Sequence, residues 1–213
     1  MRWFAGITSL LALAAFADIG EDMHDPGWPG LEKRLASPLA ALRSTWMTWT
    51  MLHLTWLGNR FTLSAIVVLA CLSSKTTPAH KDKAALVLTA VSTSLLNLVL
   101  KEWFARARPG TEFLPLVEEP YYSFPSGHAM ISLAVYGFLA YLGWLRSKSY
   151  APVLALVLLI LMIAASRVYL AVHYPGDVLA GLVAGWPCLC LAIALHANLR
   201  ADAFFARNRV RRP

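Results

Sequence analysis

Long apolar runs are the feature that most restricts how this chain can fold. Several of them fall short of the roughly 20 residues that a helix needs to cross a bilayer, so the helices should extend into their polar flanks or stand nearly upright. The sequence predicts an all-α fold, a six-span transmembrane helix bundle that forms a single domain over residues 1–213. The six runs are Trp3 to Ala17, Leu57 to Ser73, Ala84 to Leu100, Ala129 to Leu145, Ala151 to Ala165 and Val178 to Leu199.

The composition agrees with a membrane protein and excludes two other classes. Hydrophobic residues make up 58% of the chain and charged residues 15%, whereas soluble domains have roughly 45–50% and about 25%. This balance excludes a disordered chain and a nucleic-acid-binding domain. Membrane lipids, and no nucleic acid, are therefore the expected partners.

The net charge of +7 indicates how the bundle is oriented. If the amino terminus is inside, eleven of the nineteen basic residues fall on one side, with only Asp82 and Asp202 among the acidic residues. An excess of Lys and Arg marks cytoplasmic loops, so this side and both termini are predicted to be cytoplasmic. The eleven residues are Arg2, Lys75, Lys81, Lys83, Arg146, Lys148, Arg200, Arg207, Arg209, Arg211 and Arg212.

Two segments near the amino terminus have alternative interpretations. Met1 to Asp18 has the features of a signal peptide, with Arg2 before an apolar stretch and small residues at Ala15 and Ala17. Between the first two spans, an aromatic stripe at helical spacing predicts an amphipathic helix at the membrane surface. A helix packed against the bundle is the alternative. The stripe consists of Leu39, Leu42, Trp46, Trp49, His53 and Trp56.

Three polar motifs lie at the ends of spans that are predicted to face the same, outer side. Ionisable residues at membrane depth are costly and commonly functional, so motifs that meet on one surface predict an active site there. The motifs are Lys101 to Pro109, which contains Arg108; Pro125-Ser126-Gly127-His128; and Ser166-Arg167 followed by His173 and Asp177.

The charges in these motifs predict a phosphate-binding site. Lys101, Arg108 and Arg167 are cationic, and the planar arginine forks match phosphate oxygens. Ser126 and Gly127 immediately precede the fourth span. Their backbone amides are therefore expected at a helix amino terminus, which favours an anion.

Two histidines supply candidate catalytic groups beside this site. Asp177 follows His173 by four residues, so its carboxylate can orient one ring nitrogen and leave the other as a nucleophile. His128 has no acidic neighbour in its motif and suits a general acid that protonates the leaving oxygen. The other charges nearby are interpreted as solvated: Glu102, Arg106, Glu118 and Glu119.

We expect neither a metal ion nor a cofactor. Three cations and backbone amides can stabilise the charge of a transferring phosphoryl group, and a metal site would need more carboxylate or histidine ligands. Cys71, Cys188 and Cys190 lie in apolar runs and predict neither disulfides nor a zinc site.

The three motifs, in this order, resemble the signature of the type 2 phosphatidic acid phosphatase superfamily of integral membrane lipid phosphatases. The resemblance implies a six-helix bundle with its active site at the outer leaflet of the membrane. It also implies a phosphohistidine intermediate on His173 and metal-independent hydrolysis of a lipid phosphate or pyrophosphate. The matching residues are Lys101, Arg108, Pro109, Pro125, Ser126, Gly127, His128, Ser166, Arg167, His173 and Asp177.

The motifs identify a phosphate but not the rest of the substrate. We expect a bacterial inner-membrane enzyme that acts on undecaprenyl pyrophosphate. Phosphatidic acid, phosphatidylglycerol phosphate and lipid A phosphates are the alternative substrates. A lipid phosphotransferase would use the same chemistry with another acceptor, and a non-catalytic lipid-binding or transport protein is a more distant alternative. The sequence does not specify the oligomeric state.

Overall fold

A computed structural model describes residues 2–77 and 79–209 of the chain. Within these ranges every regular element is helical, and a short 3-10 turn, Thr111–Phe113, lies in the loop before the sixth helix. The helices are α1 Arg2–Asp22, α2 Trp28–Ala41, α3 Thr45–Leu57, α4 Arg60–Leu72, α5 His80–Phe104, α6 Gly127–Ser147, α7 Ala151–Tyr169 and α8 Pro175–Arg209.

Within the described residues, five single helices are long and apolar enough to cross a membrane. They extend beyond the apolar runs into the polar flanks, as the short runs required. Five of the six predicted spans therefore correspond to one helix each. The segments are Trp3–Asp22, His80–Phe104, Gly127–Ser147, Ala151–Tyr169 and Pro175–Arg200.

The second predicted span, Leu57 to Ser73, is not one straight helix. α3 and α4 meet at Gly58 and Asn59 with a bend of 53°. The Asn59 side chain caps α4 by accepting a hydrogen bond from the Phe61 amide at 2.9 Å. α4 has 13 residues, about 20 Å at 1.5 Å per residue, which is short for a bilayer. The sixth span exists only if α3 and α4 are counted together as a broken span.

The aromatic stripe predicted as one amphipathic helix is divided between two helices. α2 ends at Ala41 and α3 begins at Thr45, where the Ser44 hydroxyl accepts a hydrogen bond from the Met47 amide at 3.3 Å. The continuous helix is therefore wrong. On α3 the tryptophans point outward, while the opposite face packs on α7. A position at the membrane surface stays a prediction. The exposed tryptophans are Trp46, Trp49 and Trp56.

α6 lies at the centre of the bundle and packs against α5, α7 and α8. Its contact with α8 is close because α8 has glycines where the helices cross. A Cβ atom on Gly181 would lie 2.5 Å from the Ser126 carbonyl oxygen, and one on Gly185 would lie 2.7 Å from that of Met130. Small residues let helix backbones approach each other in this way. The first turns of α6 and α8 are thereby adjacent.

Polar side chains link three helices at the end of the bundle opposite these first turns. Asp82 at the start of α5 contacts His196 Nε2 on α8 at 2.8 Å and Arg146 on α6 at 2.9 Å. His196 is fully buried, and its Nδ1 lies 3.3 Å from the Tyr141 hydroxyl. Leaving one partner of such a buried hydrogen bond unpaired costs about 1–3 kcal/mol, so this polar cluster helps to fix the spacing of α5, α6 and α8.

Candidate active site

The structure brings the three sequence motifs together at one end of the bundle. They surround a cavity of about 420 Å³ beside the start of α6. Five of the residues identified from the sequence line this cavity, and Ser126, Arg167 and Asp177 are buried, each at most 1% exposed. The five lining residues are Lys101, Arg108, Gly127, His128 and His173.

The Ser123 hydroxyl bridges the Asp177 carboxylate and the His173 ring. Its Oδ2 atom lies 3.5 Å from His173 Nδ1, which is long for a direct hydrogen bond. The Ser123 hydroxyl donates to the same oxygen at 2.5 Å and lies 3.2 Å from Nδ1. The Tyr174 amide also donates to Oδ2, at 3.0 Å. Nδ1 therefore meets a hydroxyl and a carboxylate that are both held in place.

The other ring nitrogen of His173 meets a cation. Arg108 Nη1 lies 3.3 Å from Nε2, and a guanidinium has no acceptor atom. This contact favours the lone pair on Nε2, which places the ring proton on Nδ1, beside Ser123 and Asp177. Burial lowers the pKa of His173 to about 3. The ring is accordingly neutral, with a free lone pair beside Arg108.

Nitrogen NMR spectra of histidine-labelled protein test this protonation state. Because the pKa of His173 is lowered, we expect its ring nitrogens to keep the resonances of a neutral imidazole between about pH 8 and about pH 5. A His173 midpoint near the ordinary histidine value would contradict the burial.

Two of the three cations are held by backbone carbonyls of one loop. Lys101 Nζ donates to the carbonyls of Tyr122 and Ser123. Arg108 donates to Tyr121 at 3.0 Å and Pro120 at 3.1 Å, and also to Val172 at 2.6 Å. The loop before α6 thus fixes both cationic groups at the cavity wall.

The third cation, Arg167, is almost fully buried. Its guanidinium donates to the Thr55 hydroxyl of α3 at 2.5 Å and to Glu119 at 2.6 Å. Its Nε atom has no hydrogen-bond partner. α3 therefore contributes to the site directly, and Glu119 is not the solvated charge that the sequence suggested.

The start of α6 differs from the expectation that both of its first amides face an anion. The Ser126 amide donates to the Asp177 carbonyl at 2.9 Å, so this amide is already bonded within the protein. The Ser126 hydroxyl is buried without a hydrogen-bond partner. Gly127 lines the cavity, and a Cβ atom there would lie 2.8 Å from Asn97 Oδ1. A side chain at this position would therefore displace the Asn97 amide of α5.

His128 lies in the first turn of α6, beside the bend between α3 and α4. A Cβ atom on Gly58 would lie 3.1 Å from His128 Cδ2 and 2.5 Å from Ile163 Cγ2. The glycine at the bend therefore allows this segment to pass next to the imidazole. The broken span is thus part of the site wall, which the apolar pattern alone could not indicate.

Arg106 was interpreted as a solvated loop charge, and the structure shows that this is wrong. Its guanidinium contacts Asp177 Oδ1 and Glu32 Oε2, each at 2.6 Å. Glu32 belongs to α2 and is fully buried. Sequence analysis also missed Ser123, for which no motif gave a signal. Glu102 and Glu118 are exposed, in line with their interpretation. Among the described residues, no group of three or more His, Cys, Asp and Glu is arranged to hold a metal ion.

Comparison with known proteins identifies the family. The sequence model of the PAP2 superfamily matches residues 82–201, more than half of the chain. The chain belongs to the PAP2 superfamily. This PAP2 protein is 34% identical over 180 residues to phosphatidylglycerophosphatase B of Bacillus subtilis (strain 168), with 80% of this chain and 85% of the relative covered.

Solved structures show the same fold. A transmembrane PAP2-type phosphatidylglycerolphosphate phosphatase from Bacillus subtilis superposes with a TM-score of 0.83 at 26% identity, over 90% of this chain and 96% of that one. Aquifex aeolicus LpxE superposes with a TM-score of 0.62 at 22% identity, over 76% and 93%, and supports the fold alone. The PAP2 chain is thus an integral membrane lipid phosphatase.

Proposed function

We propose that this protein hydrolyses a lipid phosphate through a phosphohistidine intermediate on His173. The observation that carries the proposal is the environment of the His173 ring. Nε2 lies 3.3 Å from Arg108 at the cavity wall, while Nδ1 faces Ser123 and Asp177. A nucleophile that is oriented by a carboxylate and faces a cation is suited to attack an anionic phosphoryl group.

In the first step, the Nε2 lone pair attacks the phosphorus atom. The bond between phosphorus and the lipid oxygen breaks, and that oxygen leaves with the electron pair. Protonated His128 donates a proton to it, so the lipid product leaves with that oxygen protonated. When Nε2 bonds to phosphorus, the ring becomes cationic, and Asp177 stabilises that charge.

In the second step, water replaces the nitrogen. His128, now neutral, takes a proton from the water as its oxygen bonds to phosphorus. The phosphorus–nitrogen bond breaks, the electron pair returns to Nε2, and inorganic phosphate leaves. A second lipid hydroxyl in place of water would make the enzyme a phosphotransferase, and the cavity geometry favours neither acceptor.

Phosphate binding is assigned to the buried cations and to the start of α6. Lys101, Arg108 and Arg167 supply positive charge, and the Ser126 hydroxyl and Gly127 amide supply donors. Ser126 Oγ and Arg167 Nε are buried and have no protein partner, so both can donate to phosphate oxygens. We propose that these groups stabilise the transition state without a metal ion.

An apolar tail has a place next to the phosphate site. A second cavity, of about 380 Å³, shares Arg60, Ser94 and Ile131 with the first. Its remaining lining is largely aliphatic and comes from α4, α5 and α6. A substrate with its phosphate at His173 could therefore keep its tail in apolar surroundings. The aliphatic lining residues include Leu63, Val67, Val87, Val91 and Leu95.

The headgroup assignment comes from similarity. Sequence analysis favoured undecaprenyl pyrophosphate, but the relative with 34% identity is named phosphatidylglycerophosphatase B. We therefore propose phosphatidylglycerol phosphate as the first substrate and keep undecaprenyl pyrophosphate as the second. Because the basic residues favour one side of the bundle, the site is proposed to face the periplasmic side of a bacterial inner membrane.

Phosphate release by detergent-purified protein tests the proposed function. The substrates are phosphatidylglycerol phosphate, undecaprenyl pyrophosphate, phosphatidic acid and lipid A, each assayed with and without EDTA. We expect release from phosphatidylglycerol phosphate that EDTA leaves unchanged and orthovanadate inhibits. Magnesium-reversible inhibition by EDTA would contradict the metal-free mechanism. Release only after an acceptor lipid is added would indicate a phosphotransferase.

A further inference from the structure

Glu32 is a buried carboxylate that comes from outside the part of the chain matched by the family model. It lies on α2, whereas the match covers residues 82–201, and its side chain is 1% exposed. Burying a charge is costly unless it is paired. Glu32 is paired twice, because Arg106 donates to Oε2 at 2.6 Å and to Oε1 at 3.2 Å.

Arg106 joins this carboxylate to the catalytic one. Its Nη1 atom, which contacts Glu32 Oε1, also donates to Asp177 Oδ1 at 2.6 Å. Its guanidinium lies over the Tyr174 ring, 4.1 Å from the ring centroid, where cation–π attraction adds to its positioning. Oδ1 is thus occupied by Arg106, while Oδ2 faces Ser123 and His173.

The backbone just before Asp177 also contacts Glu32. The Gly176 amide donates to Glu32 Oε1 at 3.3 Å. A Cβ atom on Gly176 would lie 2.7 Å from that oxygen and 3.1 Å from the Trp28 ring. Glu32 therefore contacts both the arginine that holds the Asp177 side chain and the first turn of α8 that carries it.

Neither Glu32 nor Arg106 lines the cavity that contains His128 and His173. They reach the proposed chemistry only through Asp177. Burial raises the pKa of the Glu32 carboxyl, and the bonds from Arg106 oppose that shift. Glu32, Arg106 and Asp177 therefore form a chain of contacting charged groups that ends at His173. Such outer residues fix the orientation and tautomer of the groups that they contact.

We propose that Glu32 and Arg106 are positioning residues for the reaction. They hold Asp177 so that Oδ2 and Ser123 keep the proton on His173 Nδ1 and leave Nε2 free to attack phosphorus. The proposal rests on the proposed phosphohistidine mechanism, since positioning matters only if His173 is the nucleophile. It assigns part of the catalytic apparatus to α2.

Steady-state kinetics separate this role from a role in substrate binding. Glu32→Gln removes the carboxylate charge and keeps the shape of the side chain. Arg106→Met removes the guanidinium and keeps a side chain of similar length. We expect kcat to fall about 10- to 100-fold in both, the usual effect of losing an outer-shell partner, with KM within about twofold. Arg106→Lys keeps the charge and should recover part of kcat. Glu102→Gln and Arg34→Met, at exposed positions, are the matched controls.

Nitrogen NMR of histidine-labelled protein gives a readout that a purely structural role would not change. His173→Ala assigns the His173 resonances. In the wild type we expect a single tautomer with the proton on Nδ1, and in Glu32→Gln and Arg106→Met a mixture of both tautomers. This measurement needs no turnover, so it tests the positioning even if the substrate assignment fails.

Two results would overturn the proposal. One is an unchanged His173 tautomer in both variants, whatever their activity. The other is a variant with normal kcat, or with a raised KM at normal kcat, which would place these residues in substrate binding or outside the reaction. If Arg106→Met fails to fold, Glu32→Gln and Arg106→Lys give the same comparison. If the wild type releases no phosphate from any lipid while the tautomer shifts as expected, the proposed function fails and the positioning stands.

Discussion

Replacing His173 with alanine should abolish phosphate release from every lipid. We expect a loss of about 10⁵-fold or more, the size seen when a catalytic nucleophile is removed. The reason is geometric. In the described part of the site, only the His173 ring has one nitrogen beside Arg108 and the other beside Ser123 and Asp177. The measurement is phosphate release under single-turnover conditions.

His24→Ala is the matched control, since His24 is an exposed histidine in the loop before α2. It should keep the wild-type rate. The wild type should also carry a phosphate that is labile in acid and stable in alkali after rapid quenching, and His173→Ala should carry none. Near-normal turnover by His173→Ala would exclude His173 as the nucleophile.

The Asp177→Asn variant should lose about 10³- to 10⁴-fold in kcat, by analogy with the carboxylate of a catalytic triad. Asp177 accepts hydrogen bonds from Arg106, Ser123 and the Tyr174 amide. An asparagine amide must turn one NH₂ group toward donors, so it cannot satisfy all of these partners. The proton on His173 Nδ1 then has no fixed acceptor.

Asp22→Asn, at an exposed position near the end of α1, is the control for a change of charge on this side of the bundle. It should leave kcat unchanged. Thermal unfolding in detergent distinguishes loss of catalysis from loss of folded protein. A decrease of less than about tenfold for Asp177→Asn would mean that the Ser123 hydroxyl is sufficient to orient His173.

The predicted site residues that the structure brings together share one property. Lys101, His128 and Arg167 are placed near the ends of apolar runs that alternate in direction, so their convergence follows from counting spans. The motif spacing then brings Arg108 and His173 to the same end. Their detailed partners do not follow from spacing, because the loop carbonyls that hold Lys101 and Arg108 depend on how residues 120–123 fold.

Glu32 and Arg106 illustrate what the sequence could not show. Glu32 lies among charged residues on α2, where the neighbouring Lys33 and Arg34 are exposed. Only tertiary packing buries this one carboxylate. Arg106 precedes Arg108 by two residues, and a loop between spans usually exposes such a charge to water. Contacts between α2 and the start of α8 determine both burials.

The bend between α3 and α4 had a sequence signal that the apolar pattern concealed. Gly58 and Asn59 interrupt an otherwise apolar segment, and asparagine is a preferred residue at the start of a helix. Counting hydrophobic residues passes over such a pair. The sequence therefore did not predict which side chains surround His128, because their positions depend on the direction in which α4 leaves the bend.

The polar cluster of Asp82, Arg146 and His196 should make the bundle more rigid at its own end than at the end that carries the candidate site. Asp82 and Lys101 are separated along α5 by about 28 Å at 1.5 Å per residue, so a tilt of about 5° about Asp82 displaces the Lys101 end by about 2.5 Å. The same tilt hardly changes the spacing at the cluster. Any separation of α5, α6 and α8 is therefore expected to be larger at the end that carries Lys101 than at the end that carries the cluster.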